Sequence, residues 1–181
     1  EVRRSGQGER DLEKIEILMN QAGVTPNYSP ARSAALLKED MTGAPAGAMV
    51  LPDGSVVTGK TGNLLGAASA LLMNALKGVS GVDDELYVIS DDVLEPICHL
   101  KTEHLKSQNP RLHSDETLLA LSISSVNDPM AERLVDNIDK LRGCDAFFSV
   151  IISATDEKLY RTLGINICCE PKYESHRYYH K

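Results

Sequence analysis

The amino-acid sequence predicts an α/β fold, a three-layer α/β/α sandwich on a mixed sheet, preceded by two helices. Three observations carry that prediction. Two stretches of helical periodicity open the chain, over 9–22 and 30–43. Two short β-prone runs then meet at a Pro-Asp-Gly turn. Beyond the turn, strand-like and helix-like runs alternate. The organisation that follows is a helical connector over 1–43, the sandwich over 44–173 and a flexible tail over 174–181.

Residues 1–8, EVRRSGQG, read as an extended connector. Next, Leu12, Ile15, Leu18 and Met19 recur at helical spacing with charges between them, and Gly23 stops the helix. In NYSPARSAALLKEDMTG, Ser29 stands as N-cap, Pro30 at the first helical position and Gly43 as terminator. The runs AGAMVL and SVVTGK form a hairpin through Pro52, Asp53 and Gly54. NLLGAASALLMNALKG reads as an apolar helix with Asn63 as cap and Gly78 as its end. Its small face of Gly66, Ala67, Ser69 and Ala70 lets it lie close against a sheet.

ELYVIS predicts a strand, and Asp91 caps a helix to about Lys106, with Pro96 tolerated in its early turns. After the polar loop SQNPRLH, Ser114 caps a helix to about Val126; periodicity leaves LLALSIS open to a strand reading. Asp128-Pro129 starts a helix to Leu141, and CDAFFSVIIS is the clearest buried strand. TDEKLYRTLG gives a short helix and INICCE a last strand, ahead of a loosely held SHRYYHK.

Composition narrows the partners. Of 181 residues, 19 are basic and 26 acidic, a net charge of −7. No basic excess exists to release counterions, which argues against nucleic acid or an anionic membrane as the main partner. No apolar run reaches membrane-spanning length and no signal-peptide pattern opens the chain, so a cytoplasmic protein is expected. It opens on Glu1 rather than Met, so a fragment or processed piece is expected. Cys98, Cys144, Cys168 and Cys169 form no C-x-x-C pair, and the adjacent two point to opposite faces of a strand. Buried thiols in a reducing compartment are the expectation, with neither a disulfide framework nor a zinc site.

GSVVTGKT, from Gly54 to Thr61, fits G-x-x-x-x-G-K-[ST] at every position. A phosphate-binding loop of that type joins a buried strand to a helix that begins at the Gly-Lys-Thr, so that successive N–H groups wrap the phosphates. Here the first glycine closes a hairpin turn, the variable positions hold β-branched residues, and Gly62 follows where a helix should be running. A narrower reading survives, because TGKTGN sits where a strand passes into a helix N-terminus. Thr58, Gly59, Lys60, Thr61, Gly62 and Asn63 are therefore candidates for holding a phosphate or carboxylate.

NPRLHSDE gathers Arg111, His113, Asp115 and Glu116 at a loop-to-helix junction. Arg111 is the candidate anion clamp and His113 the candidate acid/base, while the two acids suit a helix's first turn. His99 and His104, at i and i+5, share no face of an α-helix; His176 and His180 are i, i+4 in the tail. Ser69 reads as a close-packing residue. No metal-ligand set and no cofactor motif is read from the chain.

EKIEILMNQAGV, TGAPAGAMVLPDGSVVTGKTGNLLGAASALLMNALK, NPRLHSDETLLALSIS and LGINICCEP resemble the C-terminal part of a bacterial family known as domain of unknown function 1846. The resemblance runs from about Glu9 to Tyr173. It implies a cytosolic bacterial protein whose full-length relatives are much longer, with a glycine-rich, P-loop-like segment in an N-terminal portion. Family members have at times been labelled ATP-dependent peptidases; nothing in this chain reads as a protease site. The resemblance also implies a topology like that of cytidine deaminases. Zinc deaminases need a His or Cys followed by Glu on the helix after the hairpin and a later P-C-x-x-C. LLGAASALLMNAL offers neither ligand nor acid, and DDVLEPICHL offers Cys98 alone.

The leading expectation is thus a metal-free domain that binds a ligand or supports assembly. Its expected partners are the N-terminal portion of its own full-length chain, a small anionic ligand, or a second copy in a homo-oligomer. The alternatives are an ATP- or phosphate-binding module using 54–61, and an enzyme half-site completed by the N-terminal portion.

Overall fold

A computed structural model of the protein describes residues 8–174. The expectations for 1–7 and for the tail with His176 and His180 lie outside the described residues. Within them, seven helices and four strands follow in the order α1 (Glu9–Ala22), α2 (Pro30–Thr42), β1 (Ala46–Val50), β2 (Val56–Lys60), α3 (Ala67–Ser80), α4 (Asp91–His99), α5 (Ser114–Ser124), α6 (Pro129–Asp136), β3 (Asp145–Phe148), α7 (Ala154–Thr162) and β4 (Asn166–Cys169). The protein is α/β with a mixed sheet.

The sheet runs β2-β1-β3-β4. β1 is antiparallel to β2, Met49 opposite Val57, and antiparallel to β3, Met49 opposite Ala146. β3 and β4 are parallel. Alternation along the strands sorts side chains onto two faces. Ala48 and Phe147 point one way, against Ala31 and Ala35 of α2. Met49, Ala146 and Phe148 point the other way, into the main core with Leu71, Leu76, Leu121 and Tyr160. α2 is therefore one outer layer, and α3 with α5, α6 and α7 supplies the other. The Phe148 and Tyr160 rings meet edge to face at 5.4 Å between centroids.

Two glycines set the spacing on the main-core face. A Cβ on Gly59 would lie 2.2 Å from the backbone nitrogen of Leu71, and one on Gly47 would lie 2.6 Å from the Phe148 ring. Backbone-to-backbone approach of α3 to the sheet depends on the missing side chain. Gly54, by contrast, is needed for its φ of +84° in the hairpin turn.

Several expectations need correction. ELYVIS is not a strand: the segment runs as turns, with the Glu85 amide donating to the Asp83 carboxylate. Val88 and Ile89 enter the core while Leu86 and Tyr87 stay exposed. The run is short and pinned by turns at both ends, so its β-prone residues plug the core from a loop. α3 opens at Ala67 with Gly66 as N-cap, not at Asn63, and it continues through Gly78 to a left-handed cap at Gly81. Gly78 is there because Leu51 packs against it.

The His pair is corrected too. α4 passes into a π-helical turn over Leu100–His104. The extra residue per turn brings i and i+5 together, and the exposed rings of His99 and His104 meet at 5.9 Å between centroids. LLALSIS is helical. Cys168 and Cys169 do face opposite ways, but Cys168 is exposed rather than buried; all four thiols are free.

Gly59→Ala is expected to lower unfolding stability by the upper end of about 1–3 kcal/mol, the cost of overpacking. Gly62→Ala, with no atom nearer than 3.9 Å to the added carbon, should change it by less than about 0.5 kcal/mol. Urea unfolding of the two variants checks this; equal stabilities would refute the close-approach argument.

Candidate functional site

A cavity of about 580 Å³ lies at the end of the sheet where β3 runs out into residues 150–153. Thr61, Arg111, His113, Ser153 and Asp156 contribute polar groups to its wall, and Pro45, Ala67, Val150 and Ile151 contribute apolar surface. Three helices, α3, α5 and α7, begin at its edge. A mostly apolar cavity of this size with a few convergent polar groups is what small-molecule sites look like.

The two candidate stretches are sewn together here. Leu65 and Leu112 form a parallel bridge, with the Leu112 amide donating to the Leu64 carbonyl at 2.8 Å. Arg111 Nε donates to the Gly62 carbonyl at 2.9 Å. Ser69 Oγ, fully buried, donates to the Leu112 carbonyl at 2.8 Å, so Ser69 is a tether between α3 and this loop. Below the loop, buried Lys101 donates at 2.7 Å to both the Arg111 carbonyl and Glu116 Oε2. Glu116 accepts in turn from the His113 amide at 2.7 Å, the return half of a capping box.

His113, not Ser114, is therefore the N-cap of α5. The one-residue shift turns Ser114 towards a carboxylate instead, and its amide and hydroxyl both donate to Asp156 Oδ1, at 2.8 and 2.7 Å. The other carboxylate oxygen, Oδ2, accepts from Ser153 Oγ at 2.6 Å and lies 3.1 Å from His113 Nδ1. Ser153 caps α7 by accepting from the Asp156 amide.

Asp156 is buried, which raises its pKa, but hydrogen bonds from His113, Ser153 and Ser114 outweigh burial and hold it below the usual carboxylate value. An ionised carboxylate only accepts, so Nδ1 of His113 carries its proton towards Asp156. That hydrogen bond raises the pKa of His113 above its ordinary value, against the opposing effect of burial. Nε2 has no hydrogen-bond partner among the described residues, and no buried side-chain nitrogen or oxygen there lacks one. The ring is half-buried in the cavity wall, so Nε2 opens onto the cavity. Neutral, it is a base; protonated, a donor.

Ala67 and Ala68, in the first turn of α3, line the cavity; Gly66 as N-cap provides no side chain to cap that turn, whose first N–H groups no helix satisfies internally.

Of the sequence candidates, Thr61, Arg111 and His113 meet in this wall, and Gly62 contributes its carbonyl to Arg111. The rest do not join them. Thr58 gives its carbonyl to Asn74, Gly59 packs under Leu71, and Lys60 and Asn63 are exposed. Residues 56–60 are extended and paired with β1, so 54–61 forms no wrapping phosphate loop. Sequence reasoning missed Asp156, Ser153, Lys101 and Glu174. Ser153 and Asp156 carried a signal, the S-x-x-D spacing of a helix start; a lone Lys101 carried none.

Comparison with known proteins places these residues in a family. The model described as "Domain of unknown function DUF1846, C-terminal" matches residues 27–179. A UPF0371 protein of Corynebacterium efficiens is 45% identical over 168 residues, 93% of this chain and 34% of its own length. One from Corynebacterium glutamicum is 44% identical over 179 residues, 99% of this chain and 36% of its own. One from Streptococcus thermophilus is 41% identical over 173 residues, 96% and 35%. The chain thus spans about a third of the length of the curated relatives it matches.

The His113–Asp156 pair makes a pH prediction. A raised folded-state pKa means that the pair's contribution is fully present below the ordinary histidine value of 6.5 and is lost as pH rises through the folded value. The lowered Asp156 value keeps its own contribution from about pH 4 upward, until acid below that protonates it. Asp156→Asn should bring the His113 pKa down, read by NMR titration, and should cost on the order of 1.5–3 kcal/mol near pH 6, the worth of hydrogen bonds to a charged group. An unmoved His113 titration would refute the pairing.

Proposed function

The chain belongs to the DUF1846 C-terminal domain family, and from that premise we propose that it binds a small anionic organic ligand in the cavity at the start of α3, with His113 as the group that donates or accepts a proton. The observation that carries the reading is His113 Nε2, open to the cavity and backed through Nδ1 by buried Asp156. A carboxylate behind an imidazole fixes its tautomer and raises its basicity, as acid/base catalysis requires.

The side-chain cations do not bring an anion by net charge. Lys101 is paired with Glu116, Arg111 with Glu174 and His113 with Asp156. The attraction comes from the uncapped N–H groups of α3, which carry the positive end of its dipole, and from Nε2 when protonated. The apolar wall supports an organic body on the ligand. Whether His113 only binds or also transfers a proton depends on what completes the site, and an enzyme half-site finished by another part of the full-length protein is the form this reading takes for catalysis.

Strand order β2-β1-β3-β4, with a hairpin at one edge and a parallel pair at the other, supports a cytidine-deaminase-like topology. Four free thiols support a reducing, cytoplasmic setting, and no helix among the described residues is long and apolar enough to cross a membrane.

A second observation favours a partner. α1 has no buried residue and exposes Ile15, Ile17 and Leu18. A helix of this length is marginal in water without a packed face. The relatives are about three times longer than the matched region, and the family description calls that region C-terminal. The occupant of this face is the N-terminal portion of the same full-length chain.

Thermal melting against inorganic phosphate, glutarate, citrate and Mg-ATP tests the site. A ligand at about 100 times its Kd adds roughly 2.7 kcal/mol; the shift should vanish in His113→Ala and persist in Lys60→Ala. No shift with any anion, or loss in the Lys60 variant, would sink the reading. For the partner, Ile15→Glu with Leu18→Glu should destabilise the full-length protein by several kcal/mol, at about 1.5–3 per buried side chain. In the 181-residue chain the same pair should change stability by less than about 0.5 kcal/mol per site. Equal effects in both would refute docking.

A further inference from the structure

The π-helical turn over Leu100–His104 carries different chemistry on its buried and exposed sides. Lys101 is buried, with Nζ donating to the Arg111 carbonyl and to Glu116. His99 and His104 are exposed, their ring centroids 5.9 Å apart and their planes inclined by 62°. Placing Lys101 beneath the 111–113 loop accounts for the turn. It does not account for two imidazoles meeting in solvent, neither ring engaged in a hydrogen bond among the described residues.

The backbone that holds the two rings is fixed without their help. The Leu105 amide donates to the Leu100 carbonyl at 3.0 Å and the Ser107 amide to the Lys101 carbonyl at 2.9 Å. The Thr102 hydroxyl donates to the Cys98 carbonyl at 3.0 Å, and Lys106 closes the turn in the left-handed region, at φ +56°. Only side-chain rotation is left to lose when both rings bind one ion, which is the advantage of a preorganised site.

Imidazole nitrogen suits Zn²⁺, Ni²⁺ and Cu²⁺. With metal–nitrogen bonds of about 2.0–2.1 Å, two imidazoles in adjacent positions on one ion have centroids roughly 4.5–5 Å apart. Small rotations of these two exposed side chains, which are fast motions, bring the rings in from 5.9 Å. Among the described residues no third His, Cys, Asp or Glu joins the pair. Water therefore takes the remaining positions, and the site is open and exchangeable rather than the closed four-ligand set of structural zinc. Mg²⁺ and Ca²⁺ prefer oxygen ligands and do not suit it.

We propose that His99 and His104 chelate a divalent first-row transition-metal ion of the imidazole-binding kind, at a site separate from the cavity and independent of anion binding there.

Titration calorimetry with Ni²⁺, and with Mg²⁺ as control, tests this. The chain used carries His176→Ala and His180→Ala, because those two are spaced i, i+4 and form a competing pair. The expected result is one Ni²⁺ per chain and no Mg²⁺ binding. Adding either His99→Ala or His104→Ala should weaken Ni²⁺ roughly a hundredfold, since the second imidazole binds as an intramolecular step. Substoichiometric Ni²⁺ should perturb the NMR signals of residues 99–104 before those of His113. No Ni²⁺ binding, or an affinity that either substitution leaves unchanged, overturns chelation. Signals perturbed first at His113 or at a cysteine overturn it as well, because the ion is then held elsewhere.

Discussion

The site depends on one buried carboxylate. Asp156 sits in the first turn of α7, yet groups that satisfy it come from elsewhere in the chain, the Ser114 amide and hydroxyl at the start of α5 and the His113 ring beside them. A buried anion has no water to fall back on, so the starts of α5 and α7 must stay within hydrogen-bond reach of each other. The same constraint fixes the tautomer and direction of His113 and leaves Nε2 pointing at the cavity. One interaction thereby joins two helices and prepares one reactive nitrogen.

Much of the scaffold was legible because local chemistry dictates it. Pro52, Asp53 and Gly54 specify the hairpin, with the Asp53 carboxylate accepting from the Ser55 amide and hydroxyl. Ser29-Pro30 and Asp128-Pro129 mark helix starts where the structure has them, and Gly23 and Gly43 adopt the left-handed caps their position requires. ELYVIS failed because β-prone residues also suit a core-plugging loop, and periodicity cannot see whether a sheet edge is within reach. His99 and His104 failed because a π-turn changes the spacing rule itself. For the site, the sequence showed Arg111 and His113 as a pair of chemically useful neighbours. It could not show that Asp156 lies behind one and Glu174 across from the other, contacts spanning separations of 43 and 63 positions.

The placement of charge explains why the P-loop-like string misleads. Its lysine is at the exposed end of the edge strand β2, and its strand residues are paired with β1. The N–H groups that remain available belong instead to Ala67 and Ala68, which no motif would single out, since they owe their availability to a glycine N-cap with no side chain. The positive end of a helix dipole resides in backbone direction, and alanine is as good a carrier of a backbone N–H as any residue.

The position of the cavity follows from topology. β3 and β4 are parallel and joined through α7, so α7 must start near the end where β3 finishes. β1 runs opposite to β3 and begins at that same end, at Pro45 and Ala46, with the Ala46 amide donating to Ser149 Oγ. β2, antiparallel to β1, finishes there at Lys60, and the chain turns through Thr61 into the start of α3. Every connection at this edge is thus a strand end, a strand start or a helix N-terminus, the arrangement that puts ligand sites beyond the carboxyl ends of parallel strands. The start of α3, the cap of α5 and the first turn of α7 converge on this edge, and Arg111, His113 and Asp156 line the cavity there.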